Sequence, residues 1–80
     1  MTKFKIKLET ANNVALFVAL CGQYKCDIDI QCGRFVIDAK SLMGMLSFSP
    51  DKIVEVILHE NNENIVALFE KEIRLWRVEE

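Results

Sequence analysis

His59 is the only imidazole in the 80-residue chain; it, Ser41 and the cysteines Cys21, Cys26 and Cys32 are the side chains to weigh as a phosphoryl acceptor, a phosphorylation site or metal ligands. The three cysteines are odd in number and separated by four and five residues, so they fit neither a paired disulfide framework nor a Cys-x-x-Cys metal or redox motif. Buried thiols are the simplest reading, because a zinc site joining them to His59 lacks the spacing of ligand pairs. His59 itself reads as an exposed or edge-strand histidine. Thr10, Asn12 and Asn13 form a polar group that could hold a small ligand, although helix capping accounts for the asparagines.

These groups must be positioned by a small core. At 51% hydrophobic and 28% charged residues the composition is that of a globular protein, and residues 1–80 are expected to form one domain, since two halves would each be too small to shield a core. The formal charge of −2 gives no general attraction to nucleic acid or anionic lipid. The longest apolar run, Val14 to Cys21, is eight residues, against the roughly 20 a membrane span needs. Met1-Thr2-Lys3-Phe4-Lys5 does not open a signal peptide, so a cytoplasmic protein is expected.

Lys3, Lys5 and Lys7 alternate with Phe4, Ile6 and Leu8, the period of a half-buried strand with its lysines in water. Asn12 or Asn13 can cap a helix from Val14, with Phe17, Leu20 and Cys21 on its apolar stripe and Gly22 near its end. Cys26, Ile28 and Ile30 alternate with Asp27, Asp29 and Gln31 in a second strand, Gly33 supplies a turn, and a third strand follows over residues 34–39. Ser41 can cap a short apolar helix that Ser49-Pro50-Asp51 terminates. Val54, Val56 and Leu58 alternate with Glu55, Ile57 and His59 in a fourth strand. Asn61 or Asn62 then caps a last helix with Ile65, Leu68, Phe69, Ile73 and Trp76 on one stripe. One-sided strands and one-sided helices in the order β-α-β-β-α-β-α pack most simply as an α+β fold of two layers, a mostly antiparallel sheet covered on one face by helices and wet on the other.

The segment Asp38-Ala39-Lys40-Ser41-Leu42-Met43-Gly44-Met45-Leu46-Ser47-Phe48 resembles the signature around the second helix of HPr, the histidine phosphocarrier of the bacterial sugar phosphotransferase system. That family shows lysine-serine, an aliphatic residue, methionine-glycine, two apolar residues, serine and leucine there. Cys26-Asp27-Ile28-Asp29-Ile30 stands in the place of the family's second strand, and Asn62 to Phe69 resembles the opening of its last helix. The resemblance implies an HPr-like open-faced β-sandwich with a four-stranded sheet and three helices. It also implies a carrier histidine within a glycine, aliphatic, histidine, small residue, arginine, proline run before the first helix. Here the chain reads Glu9-Thr10-Ala11-Asn12-Asn13-Val14-Ala15-Leu16-Phe17, a few residues shorter and with no histidine, arginine or proline.

Asparagine replaces neither the nucleophilic nitrogen nor the cation, so Thr10, Asn12 and Asn13 mark a degenerate carrier loop, and a non-catalytic binding or regulatory protein without cofactor or metal is expected. By the same resemblance Ser41 matches a serine phosphorylated by a dedicated ATP-dependent kinase, and Leu42, Met43, Met45, Leu46 and Phe48 match a partner-docking surface. Partners implied are phosphotransferase-system components, HPr kinase or a transcriptional regulator. Two other readings stand beside this one: a phosphocarrier with a relocated acceptor, and a structural or oligomerisation module that uses the Leu42 to Phe48 patch.

Overall fold

Alternation at the amino terminus produces β1 (Thr2–Ile6), in which Phe4 and Ile6 are buried and Lys3 and Lys5 are exposed, in a computed structural model that describes residues 1–78. There follow α1 (Ala11–Cys21), β2 (Ile28–Cys32), β3 (Phe35–Asp38), α2 (Leu42–Met45), β4 (Val54–Leu58) and α3 (Glu63–Glu72). The order matches the sequence pattern. The strands form one sheet in the order β1-β4-β2-β3, and every neighbouring pair is antiparallel. Val14, Phe17 and Cys21 of α1, Met45 of α2 and Phe69 of α3 close over one face of it, packing with Ile28, Ile30, Val56 and Leu58 into one apolar core. No helix among the described residues is long and apolar enough to cross a membrane.

Five local expectations need correction. α1 starts at Ala11 rather than Val14, because Thr10 takes the capping position and accepts the Asn13 N–H. Ile57, placed by alternation with Glu55 and His59 on the wet face, is buried: β4 is a central strand, and Lys3 and Asp29 flank Ile57 in register on either side. The last helix stops at Glu72 and gives way to a 3-10 turn, Arg74–Trp76, with the Trp76 ring edge-on to Phe17 at 5.7 Å between centroids. Leu68 stays half exposed, since the stripe of α3 is wider than the surface it covers, whereas Phe69 and Ile73 are buried. Of the three thiols, all free, Cys21 is buried while Cys26 and Cys32 are only half-buried.

Beyond the 3-10 turn the chain runs along β1. Lys7 N–H donates to Trp76 O at 2.8 Å and Val78 N–H to Lys5 O at 2.9 Å, so the outer edge of β1 is covered by residues distant in sequence.

Candidate functional site

The link from β1 to α1 turns sharply at Glu9, whose φ of 73° lies in the left-handed region. Thr10 N–H donates to Leu8 O at 2.9 Å across a three-residue turn, and Glu9 N–H donates to Pro50 O at 2.6 Å, tying the link to the loop before β4. Thr10, in an extended conformation, then caps α1: its Oγ1 accepts from Asn13 N–H at 3.1 Å, and Asn13 Nδ2 donates to Leu8 O at 2.8 Å. The hydroxyl of Thr10 and the amide of Asn13 are thus used locally, and Asn12 is exposed beside them.

Ser41 caps α2 in the same manner, with extended backbone and Oγ accepting from Gly44 N–H at 3.2 Å. Lys40 N–H donates to the Asp38 carboxylate at 2.9 Å, which sets the entry to the cap, and Lys40 Nζ reaches Tyr24 O at 2.6 Å. Gly44 gives α2 a close approach to β3: a Cβ there would lie 3.0 Å from Ile37 Cγ2, a contact tight enough that the Ile37 side chain would have to shift. From this helix Leu42, Met43 and Leu46 project into solvent, 45%, 87% and 51% exposed. Phe48 is half-buried against the core. Met45 departs from the docking expectation, because helical periodicity turns it inward and it is fully buried.

His59 lies elsewhere. β1 and β4 pair antiparallel with Thr2 opposite Leu58 and Ile6 opposite Val54, so the end of β4 that carries His59 is the end of the sheet remote from Thr10. The separation along the strands is at least about 13 Å, four residues of strand rise. His59 also belongs to the face not covered by helices, where its Nε2 meets Asp29 Oδ2 at 2.9 Å, and Asp27 and Asp38 line the same shallow depression. Among the described residues no lysine or arginine lines it. The structure therefore brings Thr10, Asn12 and Asn13 together at one helix start and Ser41, Leu42, Met43 and Leu46 at another, while His59 is apart from both.

The strain at Glu9 had no signal in the sequence, as neither glycine nor asparagine marks the position. Thr10 as the cap could have been recognised from Thr10-Ala11-Asn12-Asn13-Val14, where threonine precedes a continuous helical stretch.

A family model described as the PTS HPr component phosphorylation site matches residues 4–71. A search of curated proteins gives no match. Among solved structures, the HPr-C-His protein of Thermoanaerobacter tengcongensis is similar with a TM-score of 0.72 at 21% identity, over 91% of this chain and 90% of that one. The phosphocarrier protein HPr of Bacillus anthracis str. Ames is similar with a TM-score of 0.66 at 17% identity, over 85% of this chain and 89% of its own. At such identities these two likenesses concern the fold.

Proposed function

Starting from the fact that the chain belongs to the HPr family of the phosphotransferase system, we propose that it works by being recognised and not by relaying phosphate: a binding or regulatory member without the phosphoacceptor histidine. The observation that carries this reading is the content of the α1 start, where Thr10 and Asn13 are spent on capping and no imidazole stands. A relay needs a group that both accepts a phosphoryl group and gives it up. A histidine phosphoramidate does so, whereas a threonine phosphoester does not and a carboxamide forms no comparable adduct. Residues 1–80 are read as one such domain, with protein partners of the phosphotransferase-system class in the cytoplasm.

Ser41 is the proposed regulatory site, and Leu42, Met43, Leu46 and Phe48 the proposed docking surface. Phosphorylation by an ATP-dependent kinase would place negative charge at the cap of α2, against the N–H that Ser41 Oγ now accepts from Gly44 and beside three apolar side chains. That alters the charge of the docking surface without requiring a change of fold.

Incubation with enzyme I and labelled phosphoenolpyruvate tests the central reading, with no transfer of label expected. Label on His59 would instead establish a carrier with a relocated acceptor. Treatment with HPr kinase and ATP is expected to add one phosphate, lost in Ser41→Ala; an unchanged mass would remove the regulatory role.

A further inference from the structure

The sheet has two outer edges, and they are treated differently. That of β1 is covered by residues 76–78, while the outer edge of β3 has no partner among the described residues. Edge strands are usually blunted by lysine, proline or a bulge, because exposed N–H and C=O groups recruit other strands. β3 is short, at four residues, and is bounded by Arg34 and Asp38, but Phe35-Val36-Ile37 itself carries no lysine, proline or bulge, and Phe35 and Val36 are 68% and 62% exposed.

The hydrogen-bond parity of this edge is defined. Ala39 N–H donates to Ile28 O at 2.9 Å, so by strand alternation residues 35, 37 and 39 direct their main-chain groups toward β2. Val36 and Asp38 direct theirs outward, and so does the carbonyl of Arg34 in the turn, which lies across a trans peptide from the inward Phe35 N–H. The Asp38 carbonyl is occupied by Ser41 N–H at 3.0 Å, which leaves the Asp38 N–H, both groups of Val36 and the Arg34 carbonyl for an external strand.

Charge is as selective as parity. Asp38 stands opposite Asp29 in register, which sets two carboxylates side by side on the open sheet face. His59 takes Asp29, and among the described residues neither Asp38 nor Arg34 has an ion pair. An antiparallel copy of the same strand supplies what each lacks.

We propose that β3 is a self-association edge, where two copies of the chain pair antiparallel about a two-fold axis at Val36 and join their sheets into one. Val36 then faces the second copy's Val36 and exchanges main-chain hydrogen bonds with it, and Asp38 N–H donates to the second copy's Arg34 carbonyl. Both Arg34 side chains meet Asp38 across the axis, and Phe35 faces Ile37 on the helix-covered side. Slipping the pairing by two residues opposes Arg34 to Lys40 and Val36 to Asp38 in one direction, and Arg34 to Val36 in the other. Only the register centred on Val36 matches opposite charges and apolar side chains together. The contact is short, so association is concentration-dependent.

Sedimentation equilibrium of the full chain from about 10 μM to about 1 mM spans the range in which a short interface is read. The weight-average mass should rise from monomer toward dimer, and Val36→Lys, which sets two ammonium groups at the axis, should hold the chain monomeric throughout. Arg34→Asp and Asp38→Arg should each weaken association roughly tenfold or more, as two symmetry-related pairs become repulsive. Mixing those two variants should restore it, since each charge then meets its opposite. Circular dichroism melts establish that each variant is folded, and amide exchange at Val36 and Asp38, slowing with concentration, reports on the unmodified chain. A wild-type monomer at every concentration would overturn the proposal. So would a dimer that survives Val36→Lys but is lost in Met43→Lys, which would locate self-association on the α2 surface.

Discussion

Thr10 Oγ1 accepts the main-chain N–H of Asn13 at 3.1 Å while the Asn13 side chain donates at 2.8 Å to Leu8 O, so that one bond caps α1 and the other ties its start to the link that follows β1. Thr10→Ala removes the cap and should lower stability by about 1 kcal/mol, with Thr10→Ser close to neutral. Asn12→Ala, at an exposed position, should stay within about 0.5 kcal/mol of wild type. Urea unfolding of the three variants checks the assignment. A loss at Asn12 equal to that at Thr10 would contradict it.

Glu9 sits at φ 73° beside this cap. A side chain in such a turn carries strain of about 1–3 kcal/mol, whereas glycine adopts the conformation freely but loses about 0.5–1 kcal/mol more backbone entropy on folding. Glu9→Gly should therefore stabilise by about 1 kcal/mol, read as a raised urea midpoint at unchanged slope. The exposed Lys7–Glu9 pair, at 3.8 Å, is too weak to reverse the sign.

How much of this could be read from the sequence follows from which contacts are local. Phe4 and Ile6 against Lys3 and Lys5 announce a one-sided strand, and Ser41 and Asn62 announce helix starts, because alternation and capping act over a few residues. Alternation alone assigns Ile57 to the wet face, because its burial comes from strands that pair with β4 from positions far along the chain. Helical spacing puts Trp76 on the stripe of the last helix, yet its packing on Phe17 and the main-chain bonds of Trp76 and Val78 to the β1 segment outweigh helical propensity there. At the candidate site, Ser41 was legible as a cap, while the inward turn of Met45 beside the outward Met43 depended on where β3 places Ile37 and the core.

Gly44 and Ile37 should show strong coupling. An alanine at position 44 would ordinarily favour a helix by about 1 kcal/mol, but its Cβ would lie 3.0 Å from Ile37 Cγ2 and 3.3 Å from Ser41 Oγ. Gly44→Ala is expected to destabilise the chain when Ile37 is present and to be less harmful, or favourable, beside Ile37→Ala. A double-mutant cycle by chemical denaturation measures the difference, and an interaction energy below about 0.5 kcal/mol would contradict close packing of α2 on β3.

Cys21 lends the fold a dependence on alkaline pH. Its side chain is fully buried, and burial foremost pushes the thiol from 9.0 up to about 12, with Lys40 opposing the rise. The Tyr24 hydroxyl is also raised, by burial first and then by its hydrogen bond to Glu72. Between pH 9 and 12 the unfolded chain releases the Cys21 proton that the folded chain keeps, so stability falls as pH rises through this window and is unaffected by this group below it. One such group contributes a slope of at most about 1.4 kcal/mol per pH unit. Unfolding free energies measured in urea at successive pH values across the window should decline, and Cys21→Ala should start lower because of its cavity but decline less steeply. The same burial keeps Cys21 from reacting with a thiol reagent in the native protein at neutral pH, whereas denaturant should expose it at once. Alkylation of native Cys21 as fast as in denaturant would show that the α1 face opens, and with it the helix start that Thr10 holds.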